Sequence, residues 1–270
     1  MAITPKTPIV LISGANQGIG LAAAKILAIE HRYHVLVGSR KIDAGEAAAK
    51  ASTSEGVSAS SVQLDLTSDD TIAATVKYIF DIYGRLDVLI NNAGVLMDND
   101  YAHLSTRELF TRTFTTNVIG TARLTESCLP LLHKSSLPRI VFVSSTMGPL
   151  RVATDKAFLF YSMDFKAYDS SKAAFNMLAL NYARILSDVG GLVNSVCPGV
   201  VQTNLTSYNQ ENGHSPEVGA KRIVELATAP KGGETATFSG NESHMTVHLG
   251  VLSPEDAVTC KAVPLHMGGP

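Results

Sequence analysis

Short apolar runs alternate along this chain with longer stretches whose apolar positions recur every three to four residues. That alternation predicts successive βαβ units. The apolar runs place strands at 9–12, 34–37, 62–66, 88–91, 140–144 and 193–197, with a seventh at 235–239. Helical period predicts a first helix over 19–31 and a second from Asp43, where Asp43 and Glu46 have capping-box spacing. A third, capped by Thr67, runs to Tyr83. A long helical region opens at Ser105, with Glu108 in box spacing, and ends before Pro130. Further helices are expected over 167–189 and from Ser215-Pro216, where serine caps and proline fills the first turn. Past Gly240 the pattern weakens to one short helix after Ser253-Pro254. The reading is a single α/β domain, 1–240, built on a doubly wound parallel sheet of about seven strands. The tail, 241–270, is assigned no core-forming role.

Composition narrows the partners. Hydrophobic residues make up 45% of the 270 and charged residues 17%, enough apolar material for a substantial core. The net charge is −2 and the basic residues are scattered, so no nucleic-acid footprint is expected. A small molecule is the expected partner. Cys128, Cys197 and Cys260 form no CxxC, which points to reduced thiols and a cytoplasmic setting. No cleavable leader pattern opens the sequence, and no run reaches the ~18 apolar residues of a membrane span. His244 and His248 have an i, i+4 spacing, but a zinc site needs three or four ligands, so no metal is expected.

Two motifs carry chemistry. Gly14-x-x-x-Gly18-x-Gly20, with Asn16 and Ile19 inside it, follows a strand and opens a helix. Glycines there permit a tight turn and let the backbone approach a pyrophosphate facing the helix N-terminus. Tyr168 and Lys172, four residues apart on a helix, share one face. A cation beside a phenol favours the phenolate, so such a pair can exchange protons with an alcohol or ketone near neutral pH. A dinucleotide cradle together with a proton-transfer pair suggests hydride transfer.

The glycine spacing resembles that of the short-chain dehydrogenase/reductase family, and further motifs follow in the family's order. These are Asn91-Asn92-Ala93-Gly94, Asn117, Ser144-Ser145, Tyr168-x-x-Ser171-Lys172, and Pro198-Gly199 with Thr203. The resemblance covers roughly residues 9 to 205 and implies a Rossmann-type fold. It implies a catalytic set of Asn117, Ser145, Tyr168 and Lys172. Tyr168 would be the acid or base and Lys172 would lower its pKa. Ser145 would polarise the substrate carbonyl, and Asn117 would hold a water linking Lys172 to solvent. Ser144 is the competitor for Ser145, and Asn117 also reads as a mid-helix structural amide.

For the cofactor, Ser39, Arg40 and Lys41 follow the second strand where an acidic residue would repel a 2′-phosphate, and an arginine can grip phosphate. By resemblance this implies NADP(H) in preference to the alternative that Arg40 merely decorates a helix start. Asp65 resembles the family aspartate at the adenine and also suits a helix cap. Asn92, Val201 and Thr203 resemble further cofactor contacts. Arg123 is a candidate for the cofactor region or a surface helix residue.

One departure stands out: 22 residues separate Ser145 from Tyr168, where most members have about a dozen. The extra segment holds Phe158, Phe160, Tyr161 and Phe165. It resembles the insertion of carbonyl-reductase-like members, and reads as an apolar flap or a packed helix. Tyr161 is a poor rival to Tyr168, since Phe165 stands four residues later. A homo-oligomer is compatible with the family, but the insertion stands against its usual tetramer. Residues 204–215, polar and weakly periodic, are expected to form a lid. The implied activity is NADPH-dependent reduction of a small, fairly apolar or aromatic ketone or aldehyde, reversible as alcohol oxidation, with secondary metabolism as its setting. Epimerase-type relatives carry a GxxGxxG loop that this chain lacks. The alternative from another class is a non-catalytic NADP(H) sensor or scaffold on the same fold.

Overall fold

A computed structural model of the chain describes residues 7–53, 58–98, 103–240 and 247–248. Its centre is a sheet in the order β3-β2-β1-β4-β5-β6-β7-β8. The strands are β1 Ile9–Ser13, β2 His34–Ser39, β3 Ala59–Gln63, β4 Val88–Asn91, β5 Arg139–Val143, β6 Leu192–Cys197, β7 Thr237–Gly240 and β8 Val247–His248. The first seven are parallel, and β8 adds a two-residue antiparallel edge against β7. The arrangement is Rossmann-type, as expected. The expected helix after Ser253, His244 and Cys260 lie outside the described residues.

Parallel strands buried on both faces read as near-continuous β-branched and leucine runs, and β1 is fully buried along IVLIS. Alternation then sorts its side chains. Val10 and Ile12 join Val35, Val37, Val88 and Ile90 beneath α1 (Gly18–Ile29) and α9 (Pro216–Ala227). Ile9 and Leu11 join Leu36, Leu89, Ile140 and Phe142 on the opposite face. That face is covered by α3 (Asp69–Tyr83), α5 (Thr121–Leu132) and α7 (Lys166–Ile185). Strand order reverses beside β1, so the carboxyl ends of β1 and β4 open a crevice at the switch point, where such sheets bind ligands.

Several boundaries differ from expectation for identifiable reasons. β3 pairs over ASSVQ rather than 62–66, because its register follows β2 from Val35↔Ala59 to Ser39↔Gln63. Leu64 and Leu66, which drew the expected strand C-terminally, are buried beyond the ladder. The second helix, α2 (Ile42–Ala51), starts behind Lys41, and Asp43 sits in its first turn without forming a box. Ser68, not Thr67, caps α3 by accepting from the Thr71 amide. The Ser105/Glu108 box is formed and opens α4 (Thr106–Phe114). Beyond it the helix widens into a π-helical stretch, Thr115–Gly120, before α5 continues through Pro130. Pro130 lies in the last turn, where it cannot supply the amide that the Glu126 carbonyl would take but leaves almost no helix beyond it to kink.

Candidate active site

The glycine turn is shaped by what a side chain would strike. Gly14 and Gly18 hold φ of +65° and +54°, the left-handed region that favours glycine. A Cβ on Gly20 would lie 2.6 Å from Asn92 Nδ2 and 2.7 Å from the Gly14 carbonyl oxygen. Asn92 donates from that nitrogen to the carbonyls of Ser13 (2.9 Å) and Gly14 (3.1 Å), bracing the turn against the end of β4. Behind the turn, α1 starts at Gln17 with no side-chain cap and no acidic residue in its first turn. Its leading N–H groups are therefore available to an anion, the arrangement that suits a pyrophosphate. Asn16 and Ile19 are half-buried in the same turn. The chain after β6 returns over it. A Cβ on Gly18 would sit 3.0 Å from Thr203 Cγ2, and Asn204 Nδ2 donates to Gln17 Oε1 at 3.3 Å. The cradle fits a dinucleotide.

The four candidate catalytic residues converge from separate elements. Tyr168 and Lys172 share a face of α7 and are both nearly sealed, at 6% and 4% exposure. Ser145, in the loop after β5, lies near enough to the Tyr168 phenol to bear on its protonation, and its hydroxyl accepts from the Met147 amide at 3.2 Å. Ser144, its rival, is buried with its hydroxyl unpartnered among the described residues. Lys172 Nζ donates to the Val143 carbonyl oxygen at 2.9 Å and lies 5.6 Å from the Tyr168 ring centre. Asn117 is fully buried within the π-helical stretch. Its Oδ1 accepts from Val95 N (2.8 Å), and its Nδ2 donates to Val95 O (2.9 Å) and Ser171 Oγ (3.0 Å). Asn117 Oδ1 and Lys172 Nζ face each other across Gly94, 3.4 and 3.5 Å from where its Cβ would stand. Both Asn117 amide donors are spent, while Oδ1 takes one of the two bonds it can accept.

Electrostatics correct one expectation. Burial pushes the Tyr168 phenol up from its usual value. The nearby Cys197 thiol adds to that, and the Ser145 hydroxyl opposes it. Lys172 therefore does not by itself bring the phenol towards neutrality. Burial drives the ammonium down to about 8, and one of its three donors goes to the Val143 carbonyl. Cys197 was not singled out from the sequence. Its sulfur accepts from the Thr146 (3.2 Å) and Gly199 (3.4 Å) amides, tying the Ser145 loop to the Pro198-Gly199 turn. The thiol is itself held up by burial.

The remaining cofactor candidates divide. Ser39 closes β2 almost fully buried and donates to the Lys41 carbonyl, while Arg40 is exposed with no ion pair among the described residues. Asp65 Oδ1 accepts from the Thr67 amide and hydroxyl, a local turn after β3. Val201 is buried in a bridge with His214. Arg123 is not brought to the cleft. Its guanidinium pairs with Asp69 at the start of α3 (3.5 Å) and donates to Ser127, because α5 carries it onto the outer surface.

The family model for short chain dehydrogenases matches residues 8–213, spanning the glycine turn, the four candidate catalytic residues and the returning loop. The chain is a short-chain dehydrogenase. It is 37% identical over 226 residues to the short-chain dehydrogenase anuI of Penicillium roqueforti, covering 82% of this chain and 88% of that protein. Carbonyl reductase [NADPH] 1 of Sus scrofa is 29% identical, covering 86% and 91%. Among solved structures, salutaridine reductase from Papaver somniferum superposes with a TM-score of 0.73 at 25% identity, covering 86% of this chain and 99% of that one.

In this short-chain dehydrogenase the insertion after Ser145 is not one packed helix. It holds the four-residue α6 (Leu150–Ala153) and then turns. Residues 204–215, expected as an irregular lid, contain the six-residue α8 (Ser207–Asn212), capped by Thr206. The two segments meet: the Phe160 ring packs edge-on against Tyr208 at 5.6 Å, and Phe158 against Phe160 at 5.7 Å. The base of the second segment is stapled shut, since Gln202 N donates to His214 O and His214 N to Val200 O. No helix among the described residues is long and apolar enough to cross a membrane.

Proposed function

We propose that this short-chain dehydrogenase is an NADPH-dependent reductase of small, fairly apolar or aromatic ketones and aldehydes, running as an alcohol dehydrogenase in reverse. The observation that carries the reading is the buried face of α7 shared by Tyr168 and Lys172, with Ser145 brought beside the phenol from the loop after β5. When bound, the reduced nicotinamide supplies the hydride. Ser145 holds the carbonyl oxygen by its hydroxyl, an oxyanion-type donor. Tyr168 gives that oxygen its phenolic proton. A phenol that burial keeps protonated carries the proton that the reduced carbonyl oxygen takes up. Lys172 orients the dinucleotide ribose and, with Asn117, lies on the route by which the proton is replaced. Exposed Arg40, free of ion pairs among the described residues, would fork onto a 2′-phosphate, which supports NADP(H) over NAD(H). The contact of Phe160 with Tyr208 supports an apolar or aromatic substrate. Several relatives are named as reductases, among them menthone neomenthol reductase from Mentha piperita, at 26% identity with a TM-score of 0.71. The free, buried Cys128 and Cys197 support a reducing compartment, the cytoplasm.

The test is NADPH consumption across a panel of quinones, aryl ketones and aldehydes, run in parallel with NADH. Turnover with NADPH on apolar carbonyls is expected. Tight NADPH binding without turnover on any of them would replace this reading with the sensor.

A further inference from the structure

The helix that carries Tyr168 and Lys172 has no cap of its own. Phe165 stands at its N-cap position and offers no side-chain acceptor. The leading amides find one far away in sequence. Ala167 N donates to Asp98 Oδ1 at 2.9 Å, and Tyr168 N donates to Asp98 Oδ2 at 3.2 Å. Asp98 lies in the loop after β4, four residues beyond Gly94. Three residues before it, the Val95 main chain grips Asn117 at both ends. Asn117 in turn donates to Ser171 Oγ, and Ser171 donates to the Tyr168 carbonyl at 2.7 Å. The catalytic tyrosine is thus held at its amide and at its carbonyl by contacts that both begin in residues 95–98.

The chemistry of the cap is specific. Asparagine caps a helix about as well as aspartate. It has a single side-chain oxygen, however, whereas here each of two oxygens takes one amide. The carboxylate is also retained beside like charge. Asp169 Oδ1 is buried with no partner among the described residues, and burial, then Asp98, then Asp164, push the Asp169 carboxyl up to about 6. A second acceptor on the positive end of the helix offsets that repulsion.

We propose that Asp98 is a positioning residue, whose two oxygens clamp the first turn of α7 and thereby set the Tyr168 phenol against the Ser145 hydroxyl. The proposal rests on the reductase reading for its kinetic consequence, but the clamp itself is observable without turnover. Asp98→Ala and Asp98→Asn in the full chain provide the test. Hydrogen exchange of the segment over 166–172 should accelerate in Asp98→Ala and rise by an intermediate amount in Asp98→Asn, with β6 unchanged. With any carbonyl the wild type reduces, kcat should fall roughly tenfold or more in Asp98→Ala while NADPH affinity stays within about twofold, and Asp98→Asn should recover part of the loss. Wild-type exchange and kcat in Asp98→Ala would overturn the proposal. So would an asparagine variant as impaired as alanine, or a parallel loss of NADPH affinity. Should Asp98→Ala not fold, exchange and kcat of Asp98→Asn decide alone. Should the wild type reduce no carbonyl, the reductase reading fails, and the clamp stands or falls on the exchange result.

Discussion

Replacing Lys172 with methionine should remove activity and yet make the protein more stable at neutral pH. The ammonium is 4% exposed, and burial lowers its pKa from 10.5 to about 8, with only the Cys197 sulfur drawing it back. That displacement corresponds to roughly 3 kcal/mol held against the charged form in the folded state. Methionine fills a similar unbranched volume without charge. It leaves the Val143 carbonyl without the Nζ donor, a loss of about 1–2 kcal/mol. The net gain is then about 1–2 kcal/mol at pH 7, or roughly 2–4 °C in Tm for a chain of this length. The sign depends on pH. Between about 8 and 10.5 the unfolded wild type still holds the lysine proton that the folded state has released, so wild-type stability rises with pH. The advantage of Lys172→Met should therefore be full well below pH 8, vanish at about pH 9 and reverse by about pH 10.5, where only the lost hydrogen bond remains. Calorimetry of the cofactor-free proteins at pH 7 and at pH 10 reads both quantities. A variant less stable than wild type at pH 7, or an advantage that does not shrink with alkalinity, refutes the argument.

Other changes test other parts of the site. Tyr168→Phe should lower kcat by about a hundredfold or more and leave NADPH affinity, read by fluorescence titration, nearly unchanged; substantial residual turnover counts against the phenol as proton donor. Arg40→Ala should weaken NADPH at least about tenfold while NADH binding barely moves, and equal effects on both would remove the phosphate role. Gly120→Ala would put a Cβ 2.0 Å from the Leu66 carbonyl oxygen at the end of the π-helical stretch. It should cost about 3 kcal/mol or prevent folding, and near-wild-type denaturant midpoints would contradict that packing. Asp169 has a folded pKa raised to about 6, so its charge costs stability above that pH and nothing below about 4. Half-buried and partly screened, it should make Asp169→Asn about 1 kcal/mol more stable at pH 7 but not at pH 4, as compared by urea unfolding.

Legibility in the sequence followed the range of the interaction. The central strands were readable because a parallel sheet buried on both faces demands unbroken apolar runs such as IVLIS and VLIN. The edge strand β3 was misplaced because ASSVQ pairs through its backbone and carries little apolar signal. The π-helical stretch holding Asn117 left no mark in periodicity, and Pro130 suggested an end where α5 merely loses one amide. Gly14, Ser145, Tyr168 and Lys172 were recognisable because their motifs are local. Asp98 and Cys197 were not, because their partners lie 69 and 51 residues away and no spacing rule relates them. Arg123 shows the converse: proximity to Asn117 in sequence said nothing about which way α5 would turn it.

The meeting of Gly18 with Thr203, and of Gln17 with Asn204, bears on how the protein matures on the ribosome. Synthesis delivers the amino-terminal half first. A nascent chain that has not reached the sixth strand lacks the roof of its phosphate cradle, however well its first strands have paired. Dinucleotide capture therefore arrives late, as a mark of completion, and early intermediates must survive without that ligand's stabilising mass action.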